Sequence, residues 1–351
     1  PIVLMGYLKT SSLIDFNSLS ELKDICKELS LPSFTAKQIA DWLYKKEISS
    51  IEEMTNISLK NREILSEHYS FGLIAPVSCM TSKDGTKKYL YQYGEFDFVE
   101  AVLIPDKERA TLCISTQVGC KMNCQFCATA RQGFKRNLDC NEILNIIRSL
   151  PEYSQLTNLV YMGMGEPLDN FENVMKSIEI LTADWGFAMS GRRITVSTSG
   201  LLPRLREFLD KTNVHLAVSL HNPIPEEREL IMPIEKAYKI QDVVEVLKDY
   251  DWSGQRRLTF EYIVFEGLNN QKRHVLELLR LLDGLNCRIN LIRFHTIPNT
   301  PYISATEESM IKLRDALSSK GIICTIRASR GEDILAACGL LSTKKKLENV
   351  R

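Results

Sequence analysis

The sequence predicts an α/β protein: an incomplete (β/α)6-type barrel with a small N-terminal helical domain and a β-hairpin extension. Three observations predict it. From residue 110 onward, short apolar runs alternate with helix-period segments, the pattern of a parallel sheet with helical crossovers. About six such units occur, fewer than the eight of a closed barrel. Each polar or glycine-rich cluster of this region falls directly after a predicted strand. In parallel α/β barrels those strand ends share one face, and the active site sits there.

Taken in order, residues 1–85 form the helical domain. Helical periodicity covers Leu19–Leu29, Phe34–Tyr44 and Ile51–Tyr69, with Ser33 or Thr35 placed to cap the second segment and Ser58 the third. The aromatic residues here read as a small-domain core. Residues 86–108 form a β extension and linker. Lys88–Tyr93 and Phe96–Ile104 alternate as two strands joined by a tight turn at Gly94-Glu95. Glu100 lies in the second strand, and its pattern alone reads as an exposed edge carboxylate. Residues 109–341 form the core barrel, with strands expected at 110–115, 157–163, 193–198, 214–220, 258–265, 288–294 and 322–327. Helices are expected near 139–150, 170–184, 201–210, 240–250, 270–284 and 306–319. No G-x-G-x-x-G fingerprint follows the first strand, which argues against a dinucleotide fold. Residues 342–351 form a basic tail carrying Lys344-Lys345-Lys346.

Composition bounds the function. The chain has 351 residues, equal numbers of basic and acidic side chains (44 each) and no run long enough to span a bilayer. The start, Pro1-Ile2-Val3-Leu4-Met5, lacks the basic n-region of a signal peptide. Ten cysteines in such a chain read as reduced thiols and ligands, not a disulfide scaffold, and the expected compartment is the cytoplasm. Neutrality argues mildly against a nucleic-acid partner. Basic clusters occur at Arg131 with Lys135 and Arg136, Arg192-Arg193, Arg256-Arg257 and Arg327 with Arg330, and each alone reads as a solvated face.

The chemistry concentrates in Cys120, Cys124 and Cys127, spaced C-x3-C-x2-C directly after the first barrel strand. Close thiolates let one loop grip several irons of an iron–sulfur cluster. Three ligands leave one iron of a [4Fe–4S] cube open for a small molecule. A zinc site completed by Cys113 or Cys140 is the competing reading, although no second C-x2-C follows. The spacing, with Phe126 before the third cysteine, resembles the cluster loop of the radical S-adenosylmethionine (SAM) enzymes, which implies a radical SAM barrel with SAM on the open iron. Gly163-Met164-Gly165-Glu166-Pro167 resembles the motif that binds the SAM amine. Its glycines allow close backbone approach to a ligand. Ser197 and Ser219 suit ribose hydroxyls and a carboxylate, and His221 and His295 are further polar candidates. Cys113 and Cys338 stand outside the triad. Each reads singly as a core thiol, or both together as sulfur chemistry at the barrel mouth.

Motifs in a fixed order make the resemblance specific. Arg109–Cys113, Gln117–Cys120, Gln132–Leu138, Met162–Leu168, Ser197–Gly200, Ser219–His221, Pro233-Ile234, Ile289–Ile292 and Asp333–Gly339 resemble the RlmN type of the RlmN/Cfr family of radical SAM RNA methyltransferases. The likeness runs from about residue 20 to 340. It implies methylation at C2 of an adenosine in 23S rRNA and of the adenosine 3′ of the anticodon in tRNA, with the N-terminal domain helping to hold RNA. It implies one [4Fe–4S] cluster per chain on Cys120, Cys124 and Cys127, two SAM per turnover, an electron donor such as flavodoxin or ferredoxin, a thiol reductant and a monomeric enzyme. By the same resemblance Gly165, Glu166, Ser197, Ser219, Leu220 and His221 contact SAM. Cys338 is the methyl carrier, Cys113 the thiol that resolves the RNA adduct through a transient disulfide, and Glu100 the proton acceptor. The chain departs from the family pattern at His295, where Asn is common, and at Leu340, where Gln is common. Imidazole at 295 can still supply one hydrogen bond. The rival readings are C8 methylation of adenine, a radical SAM oxidoreductase acting on a small metabolite, and a zinc-stabilised RNA-binding module.

Overall fold

The computed structural model describes residues 12–13, 16–46, 48 and 50–343. The basic run Lys344–Lys346 and the segment Pro1–Met5 lie outside the described residues. Two compact units divide the chain, Pro1–Ile74 with Lys176–Met189, and Ala75–Met175 with Ser190–Arg351.

The small unit is built on helices Leu19–Glu28, Thr35–Lys45 and Leu59–His68, with a two-stranded pairing of β1 (Ser12–Leu13) and β2 (Tyr69–Ser70). Ser18 opens the first helix with a capping box: its hydroxyl accepts the Glu21 amide, and the Glu21 carboxylate accepts the Ser18 amide. Ser58 caps the third helix by accepting the Asn61 amide. Neither Ser33 nor Thr35 caps the second. Phe34 is already helical at the N-cap, and Thr35 is turned into the core. The periodic run from Ile51 is broken, because Ile51–Glu53 forms one 3-10 turn and the α-helix begins after Ser58. Leu22, Ile25, Ile39, Leu43, Met54 and Ile57 are buried. Trp185 and Phe187 close this core against Tyr44, with ring centroids 5.9 and 5.2 Å away.

The large unit carries one ten-stranded sheet. β3 (Ser78–Thr81), β4 (Lys87–Gly94) and β5 (Asp97–Asp106) are antiparallel, and β5 pairs antiparallel with β6 (Arg109–Cys113). A separate small hairpin pairs β7 (Gln117–Gly119) with β8 (Phe134–Asn137). From β6 the sheet continues in parallel through β9 (Asn158–Tyr161), β10 (Ile194–Thr198), β11 (His215–Ser219), β12 (Leu258–Val264), β13 (Arg288–Arg293) and β14 (Ile323–Ile326). β14 and β3 are the sheet's two edges, so the barrel is incomplete, as the strand count predicts. Each expected barrel strand and helix is present. The expected hairpin is β4/β5, and the structure adds the edge strand β3 and docks the hairpin on β6, where a tight turn at Lys107, with φ +54°, folds β5 straight back.

Helices pack on this sheet through ordinary amphipathic stripes. Ile240–Lys248 buries Ile240, Val243, Val244 and Leu247, the i, i+3, i+4, i+7 set of one helix face. Each such side chain contributes about 1.5–3 kcal/mol through burial. No helix among the described residues is long and apolar enough to cross a membrane.

Candidate active site

The cysteine loop leaves the sheet through a narrow neck. β7 and β8 close it, and the Cys120 amide donates to the Gly133 carbonyl at 3.0 Å. Gly119 has φ +80°, and a Cβ there would lie 1.8 Å from the Gly133 carbonyl oxygen, so this position requires glycine. The far side of the loop is anchored by Phe126, buried among Ile231, Met232, Ile263, Phe265 and Phe294. Its ring also meets the His221 ring edge-on, 4.7 Å between centroids. The aromatic residue before the third cysteine therefore fixes the loop to the ends of β12 and β13.

Cys120 is buried, and Cys124 and Cys127 are partly so. Burial, then the charges of Cys127, Glu166 and Asp169, push the Cys120 thiol up to about 12. Burial and the other two cysteines push Cys124 well above the ordinary thiol range. Such a donor set lacks its compensating charge, and a bound cationic group supplies it by holding the sulfurs as thiolates. No three His, Cys, Asp or Glu side chains among the described residues converge on one point, as a mononuclear metal demands. A cube does not demand it, because its ligands sit on different irons. Three thiols of one loop, all on one cavity wall, fit an iron–sulfur cluster.

The Gly163–Pro167 turn lies against the cysteine loop's neck. A Cβ on Gly163 would come within 2.6 Å of the Ile114 carbonyl, and one on Gly165 within 2.6 Å of Gln117. These glycines admit the protein's own neighbouring segment, which explains them without a ligand. Gln117 then holds the turn, accepting the Glu166 amide at 2.9 Å while donating to Asn137 and Asp169. The Glu166 carboxylate is buried and accepts the Leu168 amide (3.1 Å), the Ser199 amide (2.8 Å) and the Ser199 hydroxyl (2.9 Å). Burial raises its pKa against these bonds.

Gly165, Glu166, Ser197, Ser219 and His221 line one cavity with Cys120, Cys124 and Cys127. His221 has φ +53°, and its Nδ1 accepts the Ile263 amide at 3.0 Å. Burial, then Arg228, lowers its pKa to about 3, so the ring is neutral and Nε2 carries its proton. Leu220 and His295 are not on the cavity wall. Leu220 is buried and contributes its backbone, while His295 bonds the Ser329 hydroxyl (3.1 Å) and faces Glu332 (3.4 Å).

Both remaining thiols line the same cavity. Cys113 ends β6 and is buried; burial and the neighbouring Cys338 push it up to about 12. Cys338 is open to the cavity, yet protein surrounds it, and that burial raises its pKa too. Arg327, following β14, opposes both shifts. The loop bearing Cys338 is tied on both sides: Lys88 Nζ donates to the Leu335 carbonyl (3.1 Å), the Ala128 amide to Gly339 (2.8 Å) and the Thr129 hydroxyl to Leu341 (2.7 Å). The adjacent Glu100 is not an exposed edge carboxylate. It is 1% exposed, faces Lys88 Nζ at 3.2 Å and accepts the Ser342 amide at 3.0 Å. Its backbone pairs with Leu90 of β4 on one side and accepts the Ser115 hydroxyl on the other. Glu100 is not itself on the cavity wall, though Val102 and Leu341 are.

Arg228 was missed by sequence reading. It lies on the helix Pro225–Ile231, is fully buried, and pairs with Glu235. Its guanidinium also donates to the carbonyls of Leu220 (3.0 Å), Ser199 (3.1 Å) and Ser219 (2.8 Å), holding the ends of β10 and β11 together. The only available signal was an Arg and a Glu seven positions apart beside Pro233-Ile234.

The chain is similar to known proteins over most of its length. Residues 114–279 match the radical SAM superfamily, and residues 11–70 match the ribosomal RNA large subunit methyltransferase N-terminal domain. A probable dual-specificity RNA methyltransferase RlmN from Bacteroides thetaiotaomicron is 58% identical, covering 95% of this chain and 96% of its own. The dual-specificity RNA methyltransferase RlmN of Syntrophus aciditrophicus is 42% identical over 93% of this chain and 95% of its own. A crystal structure of a radical SAM methyltransferase from Sphaerobacter thermophilus superposes with a TM-score of 0.85 at 35% identity, covering 94% of this chain and 99% of that one.

Proposed function

The chain belongs to the RlmN family of radical SAM RNA methyltransferases, and from that premise we propose that it methylates C2 of an adenosine in 23S rRNA and of the adenosine 3′ of the anticodon in tRNA. One observation carries the reading: the cysteine triad, the Glu166–Ser197–Ser219 wall and the Cys113–Cys338 pair all line one cavity. For an oxidoreductase acting on a small metabolite the two further thiols would be incidental.

Adenine C2 is electron-poor, so a methyl group cannot reach it by simple nucleophilic displacement. With a cluster on Cys120, Cys124 and Cys127 and SAM against Glu166, Ser197 and Ser219, the bound groups supply the one-electron chemistry that this carbon requires. The protein's own residues do the rest. Cys338, as a thiolate that Arg327 favours, takes the methyl group from the sulfonium of SAM, which leaves as S-adenosylhomocysteine. His221, neutral and locked by Ile263, offers a fixed N–H donor to the cavity. Glu100, kept beside Lys88 Nζ, is the acceptor for the C2 proton. Once the methyl carbon of Cys338 is bonded to C2, the Cys113 thiolate attacks the Cys338 sulfur and forms the Cys113–Cys338 disulfide; the carbon leaves with the electron pair and takes up a proton to become the methyl group on C2. A thiol reductant then restores both cysteines with two electrons. Residues 1–85 help hold the RNA, which the match of residues 11–70 supports. The enzyme works in the cytoplasm as a monomer, with an electron donor of the flavodoxin or ferredoxin type.

The test is nucleoside mass spectrometry of 23S rRNA and tRNA from a strain lacking the gene, after reaction with the cluster-loaded enzyme, SAM and a reductant. 2-Methyladenosine in both is expected. 8-Methyladenosine would replace the C2 assignment, and unmodified tRNA would confine the activity to the ribosome.

A further inference from the structure

The end of the barrel opposite the thiols carries a second constellation that the reaction does not use. The parallel strands begin there. Arg109 is the first residue of β6 and Arg288 of β13, Arg192 lies just before β10, Arg256 and Arg257 lie just before β12, and His215 begins β11. All six line a cavity of about 620 Å3, large enough for phosphate groups together with their water, and no Asp or Glu lines it.

The arginines are short of partners. Arg109 donates to the Thr111 hydroxyl, and Arg256 to the Leu209 carbonyl and Asn213. None of the five forms an ion pair with a carboxylate among the described residues. Burial, then Arg288 and Arg109, lowers the Arg257 pKa, and burial, then Arg257 and Arg192, lowers that of His215. Like charges therefore oppose one another across this rim. In a chain of zero net charge that concentration is a matter of placement, since the cationic pairs are drawn from segments far apart in sequence. By contrast the Lys135-Arg136 cluster is neutralised by Asp97 and Glu142.

We propose that this rim is a phosphate-binding site, built by Arg109, Arg192, Arg256, Arg257 and Arg288 to take consecutive phosphates of a polyanion. Planar guanidinium groups suit phosphate oxygens bidentately. The phosphates belong either to the backbone of the RNA substrate, which rests on the activity proposed above, or to a free polyphosphate, which does not.

The experiment uses the cluster-loaded full chain and an exposed pair, Arg257→Gln/Arg288→Gln, beside Arg257→Lys/Arg288→Lys. Affinity for a tRNA transcript is measured by fluorescence anisotropy from 50 to 200 mM salt. Binding of inorganic tripolyphosphate is measured by calorimetry. If RNA backbone occupies the rim, the slope of log affinity against log salt falls in magnitude by about two in the Gln pair and stays near wild type in the Lys pair. SAM cleavage without RNA is unchanged in both. If a free polyphosphate occupies it, the slope is the same in all three proteins, and tripolyphosphate binds wild type and the Lys pair but not the Gln pair. Unchanged slopes with no tripolyphosphate binding to wild type overturn the site. Failure of wild type to bind RNA would count against the proposed activity, and the tripolyphosphate arm would still read the rim.

Discussion

The two ends of the barrel handle charge in opposite ways. At the mouth Arg228, Lys88 and Glu166 are buried and held: Arg228 by Glu235 and three carbonyls, Lys88 by Glu100 and Leu335, Glu166 by Leu168 and Ser199. At the opposite rim, Arg109, Arg192, Arg257 and Arg288 are exposed and without carboxylate partners among the described residues. Held charge is preorganised, which fixes the atoms around a reaction without reorganisation when it occurs. Unpaired charge attracts a ligand instead. One barrel thus separates positioning from attraction by placing them at different ends of the same strands.

The largest effects should come from the mouth's thiols. Cys124→Ala should abolish SAM cleavage, since the loop offers only three ligands, and undiminished 5′-deoxyadenosine from the reconstituted variant would break the cluster assignment. Cys338→Ala should give neither methyl-cysteine nor methylated RNA. Cys113→Ala should permit methyl-cysteine and then accumulate a covalent protein–RNA adduct, visible on denaturing gels and by intact mass. Turnover of Cys113→Ala at the wild-type rate would show that the pair, although on one cavity wall, is not a redox couple.

Next comes the network that holds the mouth. Arg228→Met leaves Glu235 buried without its cation and three carbonyls short of a donor, and the loss should be about 3–5 kcal/mol. Thermal melting would read it as a drop of several degrees or as insoluble protein. Arg228→Met/Glu235→Leu should recover much of the stability, because no lone charge remains, but not the alignment of Ser199, Ser219 and Leu220. KM for SAM should therefore stay raised in the stable double variant. A double variant with wild-type KM would make Arg228 a purely structural residue.

A smaller effect is expected at Arg327, the cation that favours the thiolate form of both cysteines. Both thiols are raised above their ordinary range, so the thiolate fraction, and with it the methylation rate, increases with pH. Arg327→Gln removes the opposing cation and should move the rising limb to higher pH. At pH 8 the rate should fall on the order of tenfold, with the difference narrowing as pH increases. A parallel loss at every pH would mean that Arg327 acts through packing.

The contrast between the ends also explains what was legible in the sequence. Cys120, Cys124 and Cys127 need only a local loop, so their spacing displays them directly. Glu166 and Cys338 follow strands, Ser197 and Ser219 end them, and strand polarity alone sends all four to one mouth. Arg228 is different, because its partners sit at the ends of two strands and only their pairing brings three carbonyls within reach of one guanidinium. The burial of Glu100 likewise depends on partners distant in sequence, Ser342 above all. The arginine rim is legible only as scattered basic pairs, each reading as a solvated face, because nothing local says that β6, β10, β12 and β13 start at one end of the same sheet.

The smallest expected effect is the sharpest test of the contrast, since it concerns the sign of a charge's contribution to stability. At the mouth, removing a cation should destabilise, because the cation is another group's only compensation. At the rim the sign should reverse. Arg257 lies beside Arg288 and Arg109, and their charges oppose its own. It is exposed, so water screens the repulsion and little packing is lost on substitution. Arg257→Gln should therefore shift stability by no more than about 0.5 kcal/mol, in the stabilising direction. The gain should be greatest at low salt and vanish near 0.5 M, where the screening length falls to about 4 Å. Urea melts of the wild type and Arg257→Gln at 20 and 500 mM salt would resolve it. A wild type more stable than the variant at low salt would mean that Arg257 has an internal partner, and the rim would then resemble the mouth.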